Sequence, residues 1–192
     1  MRTYSQDKTK MNKLQEPAIA EQAKKWPLDT LTQYVMEHYH EDTVNKVYEL
    51  AATARQYQDR DGATDMEELA QLLMESYDDL SNHFQKEEMM LFPYIVEMQQ
   101  FINQGLHPEP FHCGSVQYPC RQMMMEHDDE LHRYERITEI CDAFSKPFSS
   151  STECKTLTEE IRLFLDKLQE HIWIENEILF PRAVEAEGME EM

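Results

Sequence analysis

Glycine is scarce in this chain, with 4 in 192 residues, and β-branched residues are sparse. Strands favour β-branched residues and tight hairpins favour glycine, so no strand or hairpin signal competes with helix. Basic residues are also few. Lys and Arg total 18 against 38 Asp and Glu, a formal net charge of −20. Nucleic acid and anionic membrane surfaces bind through basic patches, so neither is an expected partner. Long apolar runs are missing; Leu91 to Val96 is among the longest, too short to span a bilayer. Met1 to Lys10 has no apolar h-region, and no secretory signal is read there. The four cysteines, Cys113, Cys120, Cys141 and Cys154, lack C-x-x-C spacing. They read as reduced thiols, and the expected compartment is the cytoplasm. No H-E-x-x-H occurs, which excludes the common zinc-protease arrangement.

What is present is helix-forming: Glu, Leu, Met, Gln, Lys and Ala dominate. The chain also repeats itself. His83-x-x-x-Glu87-x-x-x-Leu91-Phe92-Pro93 returns 88 residues later as His171-x-x-x-Glu175-x-x-x-Leu179-Phe180-Pro181. His40 precedes the first phrase by 43 residues, and His127 precedes the second by 44. An internal repeat of this kind governs the reading of the whole fold.

The periodicity predicts an all-α, four-helix bundle built from a two-helix pseudo-repeat. Residues 1–25 are expected to form an arm or a short extra helix, 26–186 the bundle, and 187–192 an acidic tail, with fraying from Val184 onward. Helix one runs from Pro27 to about Gln58, with Met36, His40, Val44, Val47, Ala51 and Ala54 as its inner stripe and Gly62 as a C-cap. Helix two runs to Gln104-Gly105, and its inner side includes Leu69, Leu73, Leu80, His83, Phe84 and Glu87. A loop over 105–118 leads to helix three, opened by Pro119, with Met123 and His127 inward. Helix four is capped by Ser151 or Thr152, with Leu157, Ile161, Phe164, Leu168, His171 and Glu175 inward.

Four residues of α-helix turn the chain by roughly 400° and advance it about 6 Å, so each His and its following Glu share a face. A single H-x-x-x-E reads as well as a solvated surface pair. Two copies on apolar stripes do not, because buried unpaired carboxylates cost several kcal/mol each or must take up a proton. His40, His83, His127 and His171 with Glu87 and Glu175 are therefore the candidate metal ligands, enough for two ions with the carboxylates bridging. Mixed imidazole and carboxylate ligands suit Fe, Mn or Zn, and bridging carboxylates in a bundle favour a redox pair, most often iron. His107, His112 and His132 read as loop or surface residues, and His38 as exposed or hydrogen-bonded near a ligand. The Met123-Met124-Met125 run reads as packing rather than a copper site.

These residues resemble a known family. His40, the phrase at His83, Glu126-His127-Asp128 and the phrase at His171 with Arg182-Ala183 are similar to bacterial di-iron proteins of iron–sulfur cluster repair, in the hemerythrin-like, HHE cation-binding class. The resemblance covers roughly Leu28 to Val184. It implies a non-haem di-iron centre, oxo- or hydroxo-bridged, with the four histidines as terminal ligands and Glu87 and Glu175 bridging. It implies proteins with damaged clusters as partners, nitric oxide and oxygen as small ligands, and a monomer or homodimer. Repair, reversible gas sensing, and reduction of nitric oxide or peroxide would all use this one site, and whether the chain is an enzyme stays open among them. Many family members carry an N-terminal domain with paired cysteines, and residues 1–25 have none. Many also have a His near the end of helix one, where Asp61 stands here. At about 30 Å along a helix from His40, Asp61 is not expected to be a ligand.

Overall fold

In a computed structural model, which describes residues 14–57, 63–108, 111–112, 114–145 and 151–188, the Gly-poor stretches fold as read, into helices. A short helix α1 (Ala20–Ala23) leads into the first bundle helix, α2 (Leu28–Val35), a π-helical turn (Met36–His40) and α3 (Glu41–Gln56). The second comprises α4 (Ala63–Lys86), a π turn (Glu87–Leu91) and α5 (Phe92–Asn103). The third, α6 (Gln117–Phe144), is regular throughout. The fourth comprises α7 (Thr152–Ile174), a π turn (Glu175–Leu179) and α8 (Phe180–Glu187). No strand occurs among the described residues. Each bundle helix packs on its neighbours in chain order and the fourth closes back on the first. This is the expected four-helix bundle.

Local chemistry sets the ends. Ser151 Oγ accepts the Cys154 backbone N–H at 3.3 Å and caps α7. After α5, Gly105 takes φ +68°, and the Leu106 N–H returns to the Phe101 carbonyl, a closure that favours glycine. Helix three opens at Gln117, two residues before Pro119. The proline falls in the first turn, where its missing N–H has no partner to lose. Gly62, Asp61, Cys113 and Lys146-Pro147 lie outside the described residues.

Helix α1 lies in the stretch read as an arm or a short extra helix, and it packs on the bundle. Ala20 and Ala23 are fully buried, and Arg182 donates to the Ala23 and Trp26 carbonyls. The helix at the C-terminus, expected to fray after Val184, continues to Glu187. That carboxylate accepts from Tyr94 Oη, Ser115 Oγ and the backbone N–H groups of Phe111 and Val116. It ties the loop between helices two and three to the end of helix four.

The core divides in two. One apolar cluster, including Val47, Leu50, Leu69, Leu73, Ile137 and Ile161, fills the half built from α3, α4, α7 and the end of α6. The other, including Leu31, Val35, Ile95, Met98, Val116 and Ile178, fills the half built from α1, α2, α5, α8 and the start of α6. Full burial of each such side chain contributes about 1.5–3 kcal/mol. Between the halves lies a layer of buried His and Glu.

Candidate metal centre

Each side chain in that layer arrives by a different element. His40 ends the first π turn, His83 is near the end of α4, and Glu87 opens the second π turn. His127 is on α6, His171 is on α7, and Glu175 opens the third π turn. Tyr39 and His40, the last two residues of the first π turn, are both at most 3% exposed. In the other two π turns, Phe92 N–H bonds to the Glu87 carbonyl and Phe180 N–H to that of Glu175. Pro93 and Pro181 follow directly. Each lacks the N–H for an i→i−4 bond and crowds the carbonyl four residues back, which a widened turn relieves. The Leu-Phe-Pro ending of each repeat is thus the written trace of a π turn that begins on the Glu.

All six predicted ligands meet. They form two groups, His40 with His171 and His83 with His127, and both groups contain Glu87 and Glu175. Glu87 places Oε2 3.5 Å from His40 Nε2 and Oε1 3.3 Å from His83 Nε2. Glu175 places Oε1 3.0 Å from His171 Nε2 and Oε2 3.1 Å from His127 Nε2. Each carboxylate therefore turns one oxygen to each histidine pair.

The outward ring nitrogens fix the imidazoles. His40 Nδ1 donates to Glu88 at 2.7 Å, His83 Nδ1 to Glu126 at 2.8 Å and His127 Nδ1 to Asn176 Oδ1 at 2.8 Å. Carboxylate and amide oxygens only accept, so when these rings give up their second proton it is the inward Nε2 that carries the lone pair. His83 Nε2 and His127 Nε2 are 3.0 Å apart. Two facing lone pairs at that distance repel unless a proton or a cation lies between them. His171 is held differently. Its ring is 5.1 Å from that of Tyr39 and nearly parallel to it, at 6°.

Among the described residues, the buried side-chain atoms without a hydrogen bond are concentrated here: His40 Nε2, both His171 nitrogens, and all four oxygens of Glu87 and Glu175. Elsewhere in the core, buried polar groups are paired, as expected of native proteins. Glu130, one turn from His127 and buried, bonds to Ser76 and Arg133. The orphaned atoms are all imidazole nitrogens and carboxylate oxygens, the donor set that divalent first-row metals take.

With protein groups as sole neighbours, the layer is electrostatically tense. Burial lowers the His83 pKa, but the Glu87 charge and the Glu126 bond prevail and push it up to about 10. His40 is raised too, the bonds and charges of Glu175, Glu87 and Glu88 outweighing burial. Burial dominates at His171 and lowers it. Burial would raise Glu175, yet His171, His127 and His40 hold it well below the usual carboxylate range.

Two openings flank the layer. A cavity of about 150 Å³ reaches His83 and His127 past Asp79, Glu126, Asp129 and Glu130. A cleft of about 690 Å³ reaches His40 past Met36, Glu37, Glu41 and Glu88.

The family description of the hemerythrin HHE cation binding domain matches residues 31–183. The chain belongs to the hemerythrin HHE family. Among curated proteins it is similar to the iron-sulfur cluster repair protein YtfE of Musicola paradisiaca (strain Ech703), at 30% identity over 177 residues, covering 90% of this chain and 73% of that one. It is 29% identical to the protein of that name from Pectobacterium atrosepticum over 174 residues, with 90% and 73% covered. The Escherichia coli O81 protein of that name is 29% identical over 177 residues, with 91% and 74% covered.

Sequence reasoning missed Glu88, Glu126 and Asn176 as partners of the ligands. A signal existed. Glu88 follows Glu87 and Asn176 follows Glu175, at the repeat's own 88-residue offset, and Glu126 precedes His127. His38 is exposed and stacks on Tyr34 at 4.0 Å, and His112 and His132 are exposed. Of the methionine run only Met123 is buried; Met124 and Met125 are exposed.

Proposed function

We propose that this hemerythrin HHE protein holds two iron ions and serves the repair of iron–sulfur clusters damaged by nitric oxide or oxidants. His40 and His171 would hold one ion, His83 and His127 the other, with Glu87 and Glu175 bridging. The observation that carries this is the division of each carboxylate between the two histidine pairs. A single ion would leave half of these oxygens and imidazoles buried without a partner. The relatives' printed function, iron–sulfur cluster repair, supports the role.

When bound, the iron pair supplies one-electron redox chemistry and ferrous iron that a damaged cluster could accept. The chain's own residues do the rest. The Nδ1 bonds to Glu88, Glu126 and Asn176 hold three imidazoles in the tautomer that presents Nε2 inward. Glu87 and Glu175 supply two negative charges inside the layer, and Glu88 and Glu126 supply two more one bond further out. Lys86 pairs with Glu126 and offsets part of that charge. Four neutral imidazoles and two carboxylates make a charge-poor inner shell against two divalent ions, so release should be easier than from carboxylate-rich centres. The acidic cavity beside His83 and His127 offers a cation a path with favourable potential. Phe84, Phe92 and Phe180 stack near the imidazoles and keep bulk water out.

Elemental analysis of protein made in iron-supplied cells is expected to give about two iron ions per chain, as the two ligand groups imply. Reduced, loaded protein should restore activity to a cluster enzyme damaged by nitric oxide faster than an equal dose of free ferrous iron, and Glu175→Gln protein should not. Recovery no faster than with free iron would refute repair and favour gas sensing at the same site.

A further inference from the structure

The aromatic surroundings of the four imidazoles are unequal. His40 stacks on Phe84 and Phe92, and His127 on Phe180. Phenyl rings do not readily give up an electron. His171 alone lies face to face with a phenol, that of Tyr39, at 5.1 Å. From Tyr39 the rings continue outward, to Tyr34 at 5.9 Å and on to Trp26 at 4.9 Å. Tyr39 is buried, whereas Tyr34 and Trp26 are half-buried. Tyrosine and tryptophan are the side chains whose rings lose an electron most easily, and here they run in unbroken contact from a candidate ligand to the surface.

We propose that Tyr39, Tyr34 and Trp26 form a conduit that carries an oxidising equivalent from the iron pair to the protein surface when the loaded protein meets a peroxide. The proposal rests on the di-iron reading. Peroxide needs two electrons and two protons to become two waters. A fully ferrous pair supplies both electrons. A mixed-valent pair supplies one, as its ferrous ion becomes ferric, and the conduit supplies the other. Tyr34 gives up that electron and its phenolic proton, so one further proton comes from solvent. The vacancy is shared between Tyr34 and Trp26 and is filled there by a soluble thiol. The oxidised group then lies at the surface and not among the imidazoles and carboxylates that hold the metal.

The test uses full-length protein loaded with ferrous iron, its iron content measured, brought to the mixed-valent state with one oxidising equivalent of ferricyanide per iron pair, then treated with hydrogen peroxide, with no cluster protein and no thiol present. Freeze-quenched samples are examined by electron paramagnetic resonance. Peptide mass spectrometry compares oxidation at Trp26 with that at Trp173, which is also half-buried but outside the conduit. The loaded protein is expected to show a tyrosyl or tryptophanyl radical and severalfold more oxidation at Trp26 than at Trp173. Metal-free protein should show neither. Tyr39→Phe and Tyr34→Phe, each loaded to the wild-type level, should lose most of the radical and bring Trp26 down to the level of Trp173. Equal oxidation of the two tryptophans in loaded wild type, or a radical unchanged in Tyr34→Phe, overturns the conduit. Failure of the wild type to take up iron overturns the di-iron reading and the conduit with it.

Discussion

Glu126 shows how one side chain can govern a ligand it does not replace. It accepts from His83 Nδ1, Lys86 and Gln122. Burial would raise its pKa, but these bonds outweigh burial and pull it down to about 2. A carboxylate depressed in the folded state stabilises it above the ordinary carboxylate pKa. That contribution is lost as pH falls from about 4.5 toward 2. Replacing it should be felt first in the metal. Glu126→Ala is expected to weaken iron binding about 10- to 100-fold, the usual effect of removing such an outer partner, as read by competition with a chelator. Glu126→Gln, which can still accept from the imidazole, should fall between that variant and wild type. Unchanged affinity in Glu126→Ala would show that His83 needs no orientation. Glu187 works the same way at the periphery, where it also sits below its usual range because bonds from Ser115, Tyr94 and the backbone outweigh burial. Since it is partly wet, Glu187→Gln should cost only about 1 kcal/mol, lowering Tm by about 2–4 °C at neutral pH. The difference from wild type should vanish as pH falls below the carboxylate range. A difference that persists unchanged below that range would mean that the charge contributes nothing.

At the scale of the element, the π turns are the feature that the bundle would not need if it only had to pack. Pro93 and Pro181 hold two of them open. Pro181→Ala restores an N–H and removes a ring that a regular helix would refuse, a penalty of about 3 kcal/mol in a helix interior. The metal-free variant is expected to melt higher than metal-free wild type. Its iron affinity should fall, because a regularised turn rotates Glu175 away from one histidine pair. Higher stability with unchanged affinity would show that the turn is not what aims the Glu. This also explains what was legible beforehand. Helix number, inner faces and the convergence of the six candidate ligands could be read because apolar spacing and His-x-x-x-Glu spacing both report α-helical period. The π turns could not, since a single inserted residue barely disturbs that period. The turn before His40 has no proline after it to mark it. Glu88, Glu126 and Asn176 escaped for a related reason: each is the sequence neighbour of an inward ligand and so reads as solvent-facing, yet reaches across to an imidazole on another helix.

For the whole molecule, the polar layer divides the core, and its energetics must couple metal to folding. Without a cation, Glu87 and Glu175 face each other across buried imidazoles in a chain that already carries a net charge of −20. Unpaired buried charge costs several kcal/mol, and the facing Nε2 atoms of His83 and His127 add to it. Protons relieve part of this. His83, raised to about 10, binds its proton more tightly folded than unfolded, so its contribution is complete below the ordinary histidine pKa of 6.5 and is lost as pH rises through about 10. Metal-free protein should therefore lose stability from near neutral pH upward. Iron held at the proposed site would replace these protons, and binding to the folded state alone would raise stability. At free iron 100 times the dissociation constant, each site adds about 2.7 kcal/mol, and two sites give about 5. For a chain of this size that is a rise of about 10–20 °C in Tm. Calorimetry of loaded and chelator-treated protein from pH 6.5 to 9 should show the gap widening with pH, as the proton that competes for His83 is withdrawn while the metal stays. Coincident melting curves would refute a metal centre built into the core, and a gap that narrows with rising pH would show that the proton on His83 is not what iron displaces.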